Sequence, residues 1–588
     1  MLYNRQIYRN PLVVIIDSCI KMSSIVIPHL MRNPVFSLDS CFRRNDKDTI
    51  GYNKNIRHYF ICINSSKLLV LSSWVFALCF FFLLTGCASI QKYEETESDK
   101  GQIAIFLKGH EKASLNITFD VLAINIMAED GTYRGVMSAQ MNINSFSVAG
   151  RQMLLGEKSL PEGRYKKLQL IIQEALIKRE DRISNLALPP EGIEIDIDII
   201  INKNQSASLF LSWRPDASIV DGYLFSPVFD IKGEVPELSS LLIYVTNEES
   251  NNVSVLNRQT GDVAATIMVG KKPRGIAANW NRERPRIYVA NSGSNSVSVI
   301  DPHTNKVEVE IPIRFGREPE AIAVVSTSRG KEFIFVANYA SDTISVIDAS
   351  TYQEIQMISV GDGPVAVAVD PPVDIIFGSR FLSIEDISIL RSYREKFFNV
   401  YVVNKNSKEV SILRMDASSV SSPDAIINVN VEWNPIALTV DYQRGKVYVA
   451  NYNFDNLSVI DILQIIKGNK TGAVSSITNV GTSITGIVTD PDLDRIYLLK
   501  DSADEIIIIR PFSEAFSSLT GTMTMAPLIG VIPAGDSPRS LILDPEGRKI
   551  YVVNRGSDTV SEIDKNTRKE ERIMPVGRKP YGIAMFPF

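Results

Sequence analysis

Between residues 243 and 588 the chain repeats one alternation of apolar and polar runs. In its clearest form Ile287-Tyr288-Val289-Ala290-Asn291 is followed by Val297-Ser298-Val299-Ile300-Asp301, then by a charged run ending at Gly316, and then by Pro319-Glu320-Ala321-Ile322-Ala323. The first run returns at 243–247, 334–338, 400–404, 447–451, 496–499 and 550–554. Short runs rich in β-branched and aromatic residues predict strands, and four of them per unit of ~40–50 residues predict the blades of a β-propeller. Each unit reads B, C, D and then A, with A innermost. The chain therefore opens the ring with a B strand at 243–247 and ends it with an A strand at 582–585, so that seven blades close by pairing of the N- and C-terminal strands and leave no open edge.

The units are unequal. Pro273 to Pro319 is 46 residues and Pro319 to Pro364 is 45, whereas Pro364 to Pro435 is 71. The excess falls at 371–396, between an A and a B strand, and 383–397 within it has the spacing of a short amphipathic helix. Further insertions at 414–424, 463–475 and 511–526 lie between C and D strands, so all four additions are expected on one face. Repeat six replaces the asparagine by Lys500-Asp501, and repeat five lacks the proline, having Ser483-Ile484 instead. The fifth and sixth blades are accordingly expected to be the least regular. The recurrent Asn247, Asn291, Asn338, Asn404, Asn451 and Asn554 are expected to cap turns and to tolerate left-handed geometry.

Ahead of the repeats, residues 102–236 also read as strands, at 103–107, 117–126, 140–148, 165–177, 192–201, 207–213 and 223–231, with a hairpin turn at Glu129-Asp130-Gly131-Thr132. Ile193, Ile195, Ile197 and Ile199 alternate with Glu194, Asp196 and Asp198, which gives one dry and one wet face. Seven strands in this length predict a β-sandwich, and the acidic row is ordinary strand patterning rather than a calcium site. The fold class expected for the whole chain is all-β, a sandwich at 102–236 followed by the seven-bladed ring at 241–588.

Charge narrows the partners. With 62 basic and 67 acidic residues in 588 the formal charge is −5, and no field of one sign speaks for nucleic acid. All five cysteines, Cys19, Cys41, Cys62, Cys79 and Cys87, precede residue 88, so the body of the chain has neither a disulfide framework nor a thiolate metal site. No cofactor is expected. From Leu68 to Leu84 runs an uncharged apolar stretch with Lys54, Arg57 and Lys67 before it, too short for a comfortable membrane span and better read as a signal sequence at 61–86. Residues 87–101, with Glu94, Glu95, Glu97 and Asp99, have few apolar side chains and read as a polar tether.

Three resemblances add to this reading. Leu84-Thr85-Gly86-Cys87 resembles the lipobox of bacterial lipoproteins, which implies lipid on Cys87 and a membrane partner through it; Ala88 in place of aspartate implies the outer membrane. The repeats resemble the YVTN family of propellers, over nearly the whole of 241–588. Leu160-Pro161-Glu162-Gly163-Arg164-Tyr165 with 168–172 resembles an uncharacterised transthyretin-like sandwich of bacterial lipoproteins. Residues 1–60 do not fit a signal sequence; Val26-Ile27-Pro28 and 35–47 look like a translated intergenic repeat element, and translation is expected to start just before Lys67.

Catalytic chemistry is sparse. Of the two histidines after residue 87, His303 sits in a hairpin tip, Asp301-Pro302-His303-Thr304-Asn305. A lactonase-like propeller hydrolase is the alternative function, resting on Glu320, Asp370, Glu432 and Arg539 at or beside A strands. The preferred reading is a non-catalytic envelope lipoprotein that binds or scaffolds through its ring faces, with an anionic polysaccharide or an envelope protein as partner. Its candidate site is an arc of D–A loops: Lys271, Lys272 and Arg274; Arg578, Lys579 and Tyr581; Arg317, with Arg314; and Arg539, a concentration of five to eight positive charges with Tyr581 for stacking.

Overall fold

The computed structural model describes residues 100–588 except 138, 181, 191, 236, 328, 329, 373–378, 419, 421, 512–523, 526, 527 and 588. All the described residues fall in one compact unit, Tyr93–Phe588. The expectations for residues 1–60, the signal sequence at 61–86, Cys87 and nearly all of the tether fall outside the described residues. Among the described residues no helix is long and apolar enough to cross a membrane.

The N-terminal part is a sandwich of two sheets. One orders Gln152–Pro161, Lys100–Gly109, Ser206–Trp213 and Phe229–Lys232, with Lys100–Gly109 parallel to Ser206–Trp213. The other centres on the long strands Asn116–Ala128 and Gly163–Arg179, with Ile193–Ile201 beside the latter. The Glu129–Thr132 turn forms as expected, Ala128 N donating to Thr132 O at 2.9 Å. The acidic row faces solvent and is matched by bases on the next strand: Lys167 Nζ is 2.7 Å from Glu194 and Arg164 Nη2 is 2.5 Å from Asp198. Gln152–Pro161 is a strand that the apolar pattern does not reveal, and it stands at the side of the sandwich nearest the repeats.

Among the described residues the repeats form seven sheets, six antiparallel ones of four strands and one of five with a single parallel pair. Sheet 1 runs, from inside out, Pro580–Met585 (A), Leu242–Asn247 (B), Asn252–Asn257 (C) and Val263–Met268 (D), in a register that sets Ile243 opposite Met585 and Val245 opposite Ile583. The A strands of sheets 2 to 7 are Pro273–Ala278, Pro319–Ser326, Pro364–Val369, Pro435–Asp441, Ile484–Asp490 and Pro538–Leu543. All but one begin with proline, which lacks an N–H and is at home at a strand's first residue. The fifth sheet gains its extra strand from Thr524–Met525, which pairs in parallel with Val474–Thr478, whereas both departures expected to disturb sheets 5 and 6, Ser483-Ile484 and Lys500-Asp501, fall in or beside the strands of sheet 6.

The recurrent asparagines do not cap turns. None has positive φ; each is fully buried, and its amide Nδ2 donates across the B–C hairpin to a serine seven residues on, at 2.8–3.0 Å for Ser254, Ser298, Ser345, Ser411, Ser458 and Ser561. The left-handed residue of the turn comes four positions after the asparagine instead, at Asn251, Asn295, Asp342, Lys408 and Asp558, with φ of 51–56°. A Cβ at Gly270, Gly316, Gly361, Gly535 or Gly577 would collide with the asparagine amide, which explains why glycine ends the D strand's run. Sheet 6 has lost both members of the pair: Lys500 replaces the asparagine and Ile507 the serine.

Two helices lie on the face opposite the D–A loops. Helix α1, Ile384–Arg394, is capped by Ser383, whose hydroxyl accepts from Asp386 N at 3.1 Å. It packs on α2, Ile462–Ile466, and the two share an apolar cluster containing Leu390, Tyr442 and Leu463. Sandwich and sheet 1 share a core as well: Ala104 and Phe106, with Leu154 and Phe210 against them, join Ile243, Val245, Leu256 and Val263. Gln102 Nε2 to Ser250 O at 2.9 Å, Lys108 Nζ to Asp262 at 2.8 Å and Ser208 Oγ to Thr266 Oγ1 at 3.0 Å add polar contacts.

Candidate functional site

The seven A strands surround a channel of about 260 Å³, and each lends three successive residues to its wall. The second of the three is always small: Gly275, Ala321, Ala366, Ala437, Gly486, Ser540 and Gly582. Close packing of the strands demands this, since a Cβ on Gly275 would sit 2.7 Å from Ala321 Cα and one on Gly582 2.6 Å from Arg274 O. The third is always aliphatic: Ile276, Ile322, Val367, Leu438, Ile487, Leu541 and Ile583. The first, at the mouth, follows no rule: Tyr581, Arg274, Glu320, Val365, Ile436, Thr485 and Arg539.

Above the channel the mouth widens into a cavity of about 550 Å³. Glu248, Tyr339, Lys405, Tyr452, Asp501 and Arg555, each the residue after the end of a B strand, form a second tier around the first. The lining thus holds four cations, Arg274, Lys405, Arg539 and Arg555, against four carboxylates, Glu248, Glu318, Glu320 and Asp501, with three tyrosines.

One side of this cavity is a continuous chain of charged hydrogen bonds. Arg555 Nη2 donates to Glu248 Oε2 at 2.5 Å; Arg274 donates to Glu248 Oε1 at 2.9 Å and, through Nη1, to Glu320 Oε2. The Tyr581 hydroxyl donates to Glu320 Oε1 and accepts from Arg539 Nη2 at 2.5 Å. Three guanidinium carbons lie within 4.4–5.5 Å of the Tyr581 ring centre, Arg539 nearest. Burial pushes the Glu248 carboxyl up, but the hydrogen bonds from Arg274 and Arg555 outweigh it and hold the group below the ordinary range. Burial raises the Tyr581 phenol; Arg539 pulls the other way and does not cancel it. The other side is apolar and aromatic, made of Val365, Ile436, Tyr339 and Tyr452, the last donating to Asp501 Oδ2 at 3.0 Å.

The loops that carry this ring are held in a strained form. The residue before each A strand, at Lys272, Glu318, Gly363, Asn434, Ser483, Ser537 and Lys579, has φ of 50–65°. For most of them that geometry is costly and must be fixed by neighbours. The neighbour is the preceding sheet's B–C turn: Asn251 accepts from Lys272 N, Asn295 from Glu318 N and Asp558 from Lys579 N, each at 2.8 Å.

Of the residues expected in one basic arc, Arg274, Arg539 and Tyr581 do come together at the mouth. Lys272 and Arg317 line an adjoining cavity of about 440 Å³, with Arg274, Ser292, Asn295 and Glu318. Lys271 turns to the crevice between ring and sandwich, near Lys100 and Gln102. Arg578 is taken up by Glu157 and Glu249, each at 3.3 Å, and Lys579 is exposed outside these cavities. A single-signed field is therefore absent from the mouth lining, because carboxylates from neighbouring sheets interleave with the guanidinium groups. The hydrolase candidates also separate: Glu320 and Arg539 meet at Tyr581, Glu432 does not line the mouth, and Asp370 lies buried at the far end of its strand against Arg394. The second tier was readable in principle, since it is the position following the recurrent asparagine or its lysine substitute.

Residues 109–227 match a domain of unknown function (DUF4382). This match falls within the sandwich, without most of Lys100–Gly109 or any of Phe229–Lys232, and includes none of the repeats. No curated protein matches the chain. Solved structures similar to it include hydrazine synthase of Kuenenia stuttgartiensis, with 18% identity, 56% of this chain and 93% of that one covered, and a TM-score of 0.43. A functionally unknown protein of Desulfotomaculum acetoxidans shows 12% identity over 59% of this chain and 99% of its own, at a TM-score of 0.45. A 6-phosphogluconolactonase-like protein of Bacteroides uniformis shows 15% identity over 59% and 99%, at 0.43.

Proposed function

We propose that the protein is a non-catalytic binding lipoprotein of the bacterial outer membrane, attached through lipid on Cys87, and that its ligand, an acidic glycan, seats at the mouth of a seven-bladed ring closed by its first and last strands. The observation that carries this reading is the contrast within the channel wall. Two of its three layers keep one class of side chain in every sheet, small in one and aliphatic in the other, and only the layer facing the mouth mixes charged, polar and apolar residues. Sugars both donate and accept hydrogen bonds and have apolar C–H faces, so a wall of alternating carboxylates and guanidinium groups opposite tyrosines suits them. Lys272, Arg317 and Lys405 supply cations near the mouth that are not absorbed by the internal chain of ion pairs, and they suit an acidic sugar.

Affinity for isolated envelope polysaccharide, measured for the whole protein and for a variant with Lys272, Arg317 and Lys405 all changed to Ser, tests this. Binding should fall in the variant and weaken with salt in the parent, as screened charges do. Unchanged, salt-insensitive binding would sink the glycan reading, and capture of an envelope protein in its place would redirect it to a protein partner. The lipid is tested separately: Cys87→Ser should take up no labelled fatty acid and remain unprocessed.

The hydrolase reading has in its favour the meeting of Glu320, Tyr581 and Arg539. Against it, both oxygens of Glu320 already accept, from Arg274 and Tyr581, so a general base is not free. Metal-dependent lactone hydrolysis that disappears in Glu320→Gln would reverse this preference.

A further inference from the structure

We infer that the mouth is the middle of a groove for a linear acidic sugar chain, not a seat for a single sugar; the inference rests on the glycan reading above. The cavity over the channel and the cavity beside it share Arg274 and Glu318 in their linings, so the two adjoin where the mouth opens between sheets 2 and 3. At its outer end stand Lys272 and Arg317, and in the same turn as Arg317 the Phe315 side chain is 69% exposed. A second lip lies at sheets 4 and 5, where Lys405 and Asn434 line the mouth. Beside them Trp433 is 54% exposed with the Lys408 ammonium over its ring, and Phe454 is 36% exposed in the neighbouring turn.

A single exposed ring is ordinary on a protein surface, but one that stands beside a cation at the edge of a cavity is a candidate docking point. Here each lip pairs an exposed ring with a cation: Phe315 with Arg317, Trp433 with Lys408. A ring offers a flat apolar surface to the C–H face of a pyranose, and the cation beside it offers a partner for that sugar's carboxylate. One sugar over the channel would reach neither lip. A chain crossing the mouth would reach both, with its central residue over Arg274, Glu320 and Tyr581.

Galacturonic acid and its linear tetramer serve as probes of the intact protein by calorimetry. The tetramer should bind more tightly than the monomer, and Trp433→Ala and Phe315→Ala should each weaken the tetramer about tenfold while leaving the monomer unchanged. Both side chains are exposed, so the melting temperature should stay at the parent value, which separates lost binding from lost folding. Equal affinities for the two probes in the parent, or two variants that bind the tetramer like the parent, would overturn the groove while leaving the mouth site standing. Binding of neither probe overturns the glycan reading and this inference together. Salt-sensitive binding of a polyglutamate peptide in their place overturns both in favour of a protein partner.

Discussion

The A strands have two ends, and the two ends obey different rules. At the foot, away from the D–A loops, Asn279, Asp370, Asp441, Asp490 and Asp544 are all buried. Each accepts a backbone N–H from the connection to the B strand or from the start of that strand, as Asp441 does from Arg444 N at 3.1 Å and Asp370 from Asn399 N, inside Phe397–Asn404, at 2.8 Å; sheets 1 and 3 depart, with Phe586 and Val325 at this position. At the mouth the corresponding residues are a tyrosine, two arginines, a glutamate, a threonine and two aliphatics. A chain made of repeats carries its own internal comparison. Where one side-chain chemistry recurs from sheet to sheet, the fold needs it; where it varies at an open site, the fold does not, and the variation is available to a ligand.

The largest effect is expected from removing one strand with both of its ends. Deleting 576–588 takes away the innermost strand of sheet 1 and uncovers Ile243 and Val245, which pair with it, together with its share of a core that also holds Phe106 of the sandwich. Loss of cooperative unfolding and aggregation should follow, as when a sheet edge is opened; a truncated protein that melts like the intact one would show that this strand does not tie the repeats together.

Asp370→Ala tests the foot alone. It strands Arg394, 3.7 Å away and almost fully buried, and removes the acceptor of the Tyr401 hydroxyl at 2.9 Å. Stability should drop by about 3–5 kcal/mol, since a buried charge loses its partner. Lys405→Ala at the mouth should stay within about 0.5 kcal/mol, as a surface change does, while weakening the glycan. Denaturant melts of the two variants side by side decide whether the ends differ as stated, and equal losses would erase the distinction.

The asparagine–serine pair sharpens the rule for recurring positions. Asn404→Ala should cost about 1–3 kcal/mol by leaving Ser411 without its buried donor. In sheet 6, Lys500→Asn alone should gain nothing, because Ile507 has no acceptor; only the double change with Ile507→Ser should stabilise, so the two substitutions should be non-additive. Additive effects would mean that the pair does not act as a unit.

The smallest effect concerns pH at the mouth. The Glu248 carboxyl titrates lower in the folded protein than its ordinary value of 4.5, so its ion pairs with Arg274 and Arg555 stabilise above that value and are lost as acid protonates it. The difference in melting temperature between the parent and Glu248→Gln should therefore be full at neutral pH and shrink as pH falls below the ordinary glutamate range. A difference that grows toward acid would contradict the ion-pair account.

Much of the architecture was legible because it is periodic. The order B, C, D, A within each unit, the pairing of 243–247 with the C-terminal strand and helix α1 behind Ser383 all follow from apolar runs and their spacing, whereas the fifth strand of sheet 5 does not. Gln152–Pro161 was not legible: Gln-Met-Leu-Leu-Gly-Glu-Lys-Ser carries no clean alternation, and what makes it a strand is pairing with Lys100–Gly109. The asparagines were visible as a repeat, but their partner is the serine across the hairpin, and only packing reveals that a buried amide serves the sheet rather than the turn.

The sequence by itself determined where strands form, how they are phased and which positions recur, because alternation and turn chemistry act over a few residues at a time. Only the tertiary structure decided which charges meet. Arg274, Glu320, Tyr581, Arg539, Glu248 and Arg555 come from four sheets, and hydrogen-bonded partners among them lie as many as 307 residues apart, as Glu248 and Arg555 do. Their pairing depends on how the sheets pack around the channel. Proximity in the chain says nothing about it, and a loop that reads as basic becomes one half of a neutral, preorganised wall once its neighbours in space are in place.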